Sequence, residues 1–166
     1  SLFGFDAPDI ACARVLEIGC GSGGNLIPMA ASYPGSTFVG IDLSAVQIAH
    51  GAAEIEALGL PNIRLRAIDV MAFDEAEAFD YIIAHGIYSW VPAPVQDRIL
   101  SLCASLLAAN GIAFVSYNTL PGWRMLSTVR EAMLYHTRDI EDPRARIGKA
   151  RATLDFLAEA VPEWPL

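Results

Sequence analysis

The stretch Arg14-Val15-Leu16-Glu17-Ile18-Gly19-Cys20-Gly21-Ser22-Gly23-Gly24 decides the fold. Its first five residues are a short, largely apolar run with one acid inside it, which reads as a buried strand. Four glycines follow within six residues, and a helix is expected over 25–33. Pro28 falls in the first turn of that helix, where its missing N–H does no harm, and Pro34-Gly35 stops it. Strand, glycine turn and helix in this order bring bare backbone against a ligand. Glycine accepts positive φ and lets the ligand approach the main chain closely. The spacing Gly19-x-Gly21-x-x-Gly24 satisfies the dinucleotide fingerprint, and Gly19-x-Gly21-x-Gly23 is satisfied as well. The glycines alone leave a dinucleotide and another nucleoside-bearing cofactor both open.

The pattern repeats downstream. Thr37-Phe38-Val39-Gly40-Ile41 is a second strand, closed by Asp42. Ser44 N-caps a helix that runs to Leu58 and ends at Gly59, with Ile48, Ala52, Ile55 and Leu58 as its apolar face. A third strand is expected over 63–68, followed by Asp69, and a fourth over 79–84. A loop over 85–92 leads to a helix over 94–107, and Asn110-Gly111 turns the chain into a fifth strand over 112–116. Apolar strands alternating with helices predict an α/β fold. It is a doubly wound, mostly parallel, Rossmann-like sheet of about five strands with right-handed crossovers.

After Ser116 the alternation ends. One helix is expected over 122–135, with Leu126, Val129 and Met133 on one side. Another opens near Pro143 and gathers Ile147, Ala150, Leu154, Leu157 and Val161 on one face. The predicted organisation is a cofactor-binding domain over 1–122 and a helical extension over 123–166, the start of a further C-terminal region. A further domain or a second copy is expected to cover the extension's apolar face.

Composition narrows the function classes. The 166 residues are 54% hydrophobic and 18% charged, which excludes a disordered chain. The net charge is −8, opposite in sign to a protein built to grip phosphate backbone, so nucleic acid is disfavoured as a partner. The imbalance is local. Residues 1–116 hold four arginines against twelve carboxylates, whereas 117–166 hold seven basic and seven acidic side chains. Cys12, Cys20 and Cys103 are odd in number and irregular in spacing, which predicts no disulfide framework and a reducing, cytoplasmic setting. No run of eighteen apolar residues predicts a membrane span. His50 and His136 lack ligand spacing, and no metal is expected.

Three acids lie where the strands end. Asp42, about twenty residues beyond the glycines, stands where a carboxylate accepts both hydroxyls of a ribose. Asp69 stands where an acid can accept from an adenine amino group. Glu17 closes a buried strand, and a carboxylate there is costly unless a cation or a set of donors meets it. A pyrophosphate is a poor neighbour for it; the amino group of a methionine-like tail is a good one.

Val15-Leu16-Glu17-Ile18-Gly19-Cys20-Gly21-Ser22-Gly23, Val39-Gly40-Ile41-Asp42, Asp69 and Phe79-Asp80-Tyr81-Ile82-Ile83 resemble, in order, the motifs of class I S-adenosylmethionine-dependent methyltransferases. A narrower likeness lies in His85-Gly86-Ile87-Tyr88-Ser89-Trp90-Val91-Pro92 and Ser116-Tyr117-Asn118-Thr119-Leu120-Pro121-Gly122-Trp123. These resemble bacterial methyltransferases with a C-terminal methyltransferase regulatory domain. The resemblance implies S-adenosylmethionine as cofactor, or S-adenosylhomocysteine as its product. Glu17 and the backbone of Gly19, Cys20, Gly21 and Gly23 would meet the methionine part. Asp42 would hold the ribose, Leu43 would pack on the adenine, and Asp69 with the backbone of Val70 would read the adenine edge. His85 would lie near the sulfonium and serve as general base, with Tyr88 beside it. Tyr88, Trp90, Tyr117 and Asn118 would line the pocket of a small-molecule or protein acceptor.

Two features depart from family patterns. The Asn/Asp-Pro-Pro-aromatic motif of base-amino methyltransferases is replaced here by Ala84-His85-Gly86-Ile87, and the final antiparallel hairpin of class I folds is not found. Two other readings compete with methyl transfer. One is a non-catalytic module that binds S-adenosylmethionine; the other is an NAD-dependent oxidoreductase on the same glycine spacing.

Overall fold

The computed structural model describes residues 4–160. Five strands, β1 (Arg14–Ile18), β2 (Thr37–Asp42), β3 (Ile63–Ala67), β4 (Phe79–Ala84) and β5 (Leu107–Val115), form one sheet in the order β3-β2-β1-β4-β5, and every pairing is parallel. The helices α1 (Leu26–Ser32), α2 (Ala45–Leu58) and α3 (Ala93–Leu106) complete the alternation. Short 3₁₀ turns at Ile10–Cys12, Val70–Ala72 and Tyr88–Trp90 lie in the connections. The order reverses at β1, which pairs with β2 on one side and β4 on the other. That is the place where an open α/β sheet leaves a crevice at its carboxyl end.

Side-chain alternation along β1 divides the core in two. Val15 joins Phe38, Ile63, Leu26, Ile27, Ala30 and Ile48 under α1 and α2. Leu16 and Ile18 join Val39, Ile41, Phe79, Ile82, Ile99 and Leu102 under α3. By the same period Glu17 shares the face of Val15 and points towards α1.

The expected elements are present, with corrected boundaries and faces. On α2 the inward positions are Ile48 and Gly51, with Ile55 half-buried, while Ala52 and Leu58 are exposed. The helix lies so close to the glycine turn that a Cβ on Gly51 would fall on the carbonyl oxygen of Ser22. The expected turn at Asn110-Gly111 is not a turn. α3 runs directly into β5, and these residues form an irregularity in the strand. Phe79 faces Leu107 whereas Tyr81 faces Ile112, so extra residues bulge from β5 between those pairs. Gly111 sits there because a Cβ would come within 3.0 Å of the carbonyl oxygen of Asp80.

The edge strand β3 is screened by charge. Arg14, Arg64 and Arg66 all pair with the half-buried Glu75, and Arg14 also pairs with Glu77. Charged side chains of this kind blunt an edge against pairing with another chain.

The chain divides into two compact units, Ser1–Tyr117 and Asn118–Leu166. The second is a helical pair, α4 (Gly122–His136) and α5 (Pro143–Ala160), packed on each other. Within α4, Val129 and Met133 are half-buried but Leu126 is exposed. Within α5 the inward side is Ala150, Thr153 and Leu157. Ile147 and Leu154, expected on the same face, are exposed, and Val161 lies outside the described residues. Among the described residues no strand follows β5.

Gly51→Ala is expected to destabilise the protein. Alanine favours a helix interior by about 1 kcal/mol over glycine. The added methyl nevertheless has to displace the backbone of the glycine turn, an overpacking cost of about 1–3 kcal/mol. A lower urea midpoint is the expected result; a raised one contradicts the close packing of α2 on the turn.

Candidate functional site

The glycine turn follows a backbone path that needs glycine at three positions. Gly19, Gly21 and Gly23 have φ of 76°, 56° and 81°, each in the left-handed region. The amides of Gly19 and Cys20 both donate to the carbonyl of Ile41, at 2.8 and 3.1 Å. The amide of Gly21 donates to Asp42 Oδ2 at 2.9 Å. The turn is thereby stitched to the end of the neighbouring strand β2. Asp42 Oδ1 accepts from the amide of Ser44 at 2.8 Å, so one carboxylate fixes both the turn and the start of α2.

A cavity of about 520 Å³ opens beside this turn at the carboxyl end of the sheet. Of the expected site residues it is lined by Gly19, Asp42, Leu43, Asp69, Val70, His85 and Trp90. Leu43 is 75% exposed at its mouth. Asp69 caps the turn Val70–Ala72 by accepting from the amide of Met71 at 2.9 Å. Gly86, Ile87, Val91, Pro92 and Val95 complete the wall on the side of the 85–95 segment. These apolar residues carry no chemical signature of their own, which is why sequence reasoning did not select them. Ile87 presses on the turn itself: its Cγ2 would lie 2.8 Å from a Cβ on Gly19.

Glu17, on β1 two residues before Gly19, is 5% exposed and, like Cys20, Gly21 and Gly23, is not among the residues that line the cavity. Its Oε1 accepts from Asn25 Nδ2 at 3.2 Å, while its buried Oε2 has no hydrogen-bond partner. Asn25 begins α1 without capping it; its side chain serves Glu17 instead. Burial pushes the Glu17 carboxyl above its usual pKa, and the Asn25 bond and the charge of His85 pull it partly back. Cys20 is also buried, and desolvation, aided by the charges of Asp42 and Glu17, pushes its thiol up to about 12. It is a packed thiol, not a nucleophile.

The remaining expected residues are distributed differently. His85 lies at the cavity with its ring 5.9 Å from that of Phe114. Tyr88 does not line the cavity; it packs against the core cluster under α3, with its ring 6.2 Å from that of Tyr117. Tyr117 is exposed, and Asn118 opens the second unit. The described residues contain no cluster of His, Cys, Asp and Glu able to hold a metal, and no helix long and apolar enough to cross a membrane.

A sequence profile described as "Methyltransferase domain" matches residues 16–113. Protein RP789 of Rickettsia prowazekii is 46% identical over 97% of the chain, and RP028 of the same organism is 43% identical over 96%. The structure of PKMT2 from Rickettsia typhi in complex with AdoHcy superposes with a TM-score of 0.85 at 43% identity, covering 99% of the chain. The chain spans 29% of RP789, 64% of RP028 and 32% of PKMT2.

The raised Glu17 pKa has a signed consequence. A carboxyl that holds its proton more tightly when folded contributes stability at low pH. That contribution is lost as pH rises from 4.5, its ordinary value, through the folded value. Ligand-free wild type is therefore expected to lose stability relative to Glu17→Gln over that range. The variant should have the higher urea midpoint at pH 7. A difference independent of pH contradicts the buried, underpartnered carboxyl.

Proposed function

The chain belongs to the methyltransferase domain family of class I S-adenosylmethionine-dependent methyltransferases, and on that premise we propose that its cavity binds S-adenosylmethionine for methyl transfer to a small-molecule or protein acceptor. The observation that carries this reading is the orphaned Glu17 Oε2. A buried carboxylate oxygen without a donor is an expensive feature, and an ammonium placed beside it removes the cost. The amino group of a methionine-like tail is such a partner. The pyrophosphate of a dinucleotide would bring negative charge to the same place, which counts against the NAD reading.

The other groups fit the same ligand. Asp42 has each oxygen engaged by one backbone amide, which leaves lone pairs for two ribose hydroxyls. Asp69 and Val70 follow β3 and line the cavity, where we assign them to the adenine edge, and Leu43 offers an apolar face. The bare Cα positions of Gly19, Gly21 and Gly23, with the backbone of Cys20 between them, let the amino-acid tail lie against the main chain. When bound, S-adenosylmethionine supplies an electrophilic methyl group on a sulfonium centre. The chain's own task is alignment: it holds the donor so that an acceptor can approach in line. His85 takes the proton of an acceptor that must lose one. Tyr88, Trp90 and Tyr117 are the residues we assign to the acceptor side, and Trp90 borders the cofactor cavity as well.

The three free cysteines fit a reducing compartment, and we place the reaction in the cytoplasm. The helical pair α4–α5 we read as an appendage to the cofactor domain.

S-adenosylhomocysteine at about a hundredfold excess over its Kd is expected to stabilise the chain by about 2.7 kcal/mol. That raises Tm by several degrees, and NAD should leave Tm unchanged. Asp42→Ala should abolish most of the rise, since it removes both the ribose acceptor and the anchor of the glycine turn. A rise with NAD and none with S-adenosylhomocysteine contradicts the proposal.

A further inference from the structure

Two short 3₁₀ turns contribute to the wall of the cavity, and one helix holds the end of each. The first turn, Val70–Ala72, supplies Val70. Its carbonyls are taken by Arg98: Nη2 donates to Phe73 O at 2.6 Å and Nε to Val70 O at 3.4 Å. The second turn, Tyr88–Trp90, supplies Trp90 and leads into Val91 and Pro92. Its carbonyls are taken by Gln96: Nε2 donates to Tyr88 O at 2.9 Å and to Val91 O at 3.2 Å. Val70 and Tyr88 open their turns and Phe73 and Val91 follow them, so each side chain ties the first carbonyl of its turn to the carbonyl just beyond its end. Both donors come from the first two turns of α3. They are two residues apart, about 200° around the helix, and so reach away from each other.

The far ends of the two turns are fixed as well. Asp69 caps the first, and the amide of Trp90 bonds the carbonyl of Ile87 in the second. Further back, the amide of Gly86 donates to Ser116 Oγ at 2.9 Å. The register between Val70 and Trp90 across the cavity thus depends on α3 as a common splint.

We propose that Gln96 and Arg98 are positioning residues that together set the spacing of the Val70 and Trp90 walls of the cofactor cavity. The assignment rests on the reading of that cavity as an S-adenosylmethionine site. Neither side chain is among the residues that line the cavity, and each acts through the turn that it holds. Gln96→Glu keeps the shape of the side chain but replaces the donor nitrogen by an oxygen that faces two carbonyls. Arg98→Met keeps the stem and loses both donors.

The test is calorimetric titration with S-adenosylhomocysteine and with adenosine, together with the emission of Trp90 in a Trp123→Phe, Trp164→Phe background. Each variant is expected to bind S-adenosylhomocysteine about tenfold more weakly, the loss of about two hydrogen bonds, and to lose the same factor for adenosine. Unliganded Gln96→Glu should shift Trp90 emission to longer wavelength, while Arg98→Met should not, since it holds the other turn. A merely structural role would not separate the two variants in this way. Where either variant fails to fold, Gln96→Met and Arg98→Lys carry the same comparison. Affinities within twofold of wild type with unmoved emission overturn the proposal. Wild type that binds neither ligand overturns the cofactor reading instead, and the emission shift still decides whether Gln96 positions Trp90.

Discussion

Three amides of the glycine turn converge on the end of β2: Gly19 and Cys20 on the carbonyl of Ile41, Gly21 on the carboxylate of Asp42. This stitching is the constraint from which the site follows. It forces positive φ at Gly19 and Gly21, which excludes side chains there and leaves a bare backbone surface. It brings α2 against Ser22, which requires Gly51. It also opens the crevice at the point where the sheet order reverses, between β2 and β4 on either side of β1. One carboxylate therefore has two tasks. It holds the turn through one oxygen and α2 through the other, and in our reading it keeps lone pairs for a ribose.

Against this rigid frame Glu17 stands out as an unresolved cost. The strand period directs it to the α1 side, where Asn25 meets one oxygen and nothing meets the other. A folded chain that keeps such a group trades stability for readiness to bind a cation. Among the described residues the cationic side chains of the first unit are employed elsewhere. Arg14, Arg64 and Arg66 pair with Glu75, and Arg98 is bonded to carbonyls. In our reading the ammonium that satisfies Glu17 comes from a ligand.

Much of this was legible in the sequence. The succession of strands and helices, the glycine turn, the cap at Ser44 and the acids at strand ends all follow from local chemistry, and local chemistry is what spacing records. Three things were not legible. The Asn110-Gly111 pair reads as a turn by propensity, yet pairing with β4 holds it inside a strand as a bulge, a tertiary effect. The faces of α2 and α5 were misread where one apolar residue could be exchanged for another: Gly51 outcompetes Leu58 because the turn backbone comes so near, and Thr153 lies inward where Leu154 does not. The cavity wall was missed at Ile87, Val91 and Val95, and its supports at Gln96 and Arg98 were missed too. Apolar residues and lone amides carry no signature until the loop they hold is seen.

In our reading Glu17 Oε2 awaits the amino group of the cofactor's methionine part. The most direct test is a crystal structure of the chain with S-adenosylhomocysteine. The ligand is expected across the glycine turn, its amino nitrogen about 2.7–3.2 Å from Glu17 Oε2 and its ribose on Asp42. A ligand bound with its amino group directed away, and Glu17 Oε2 still without a donor, would contradict that reading.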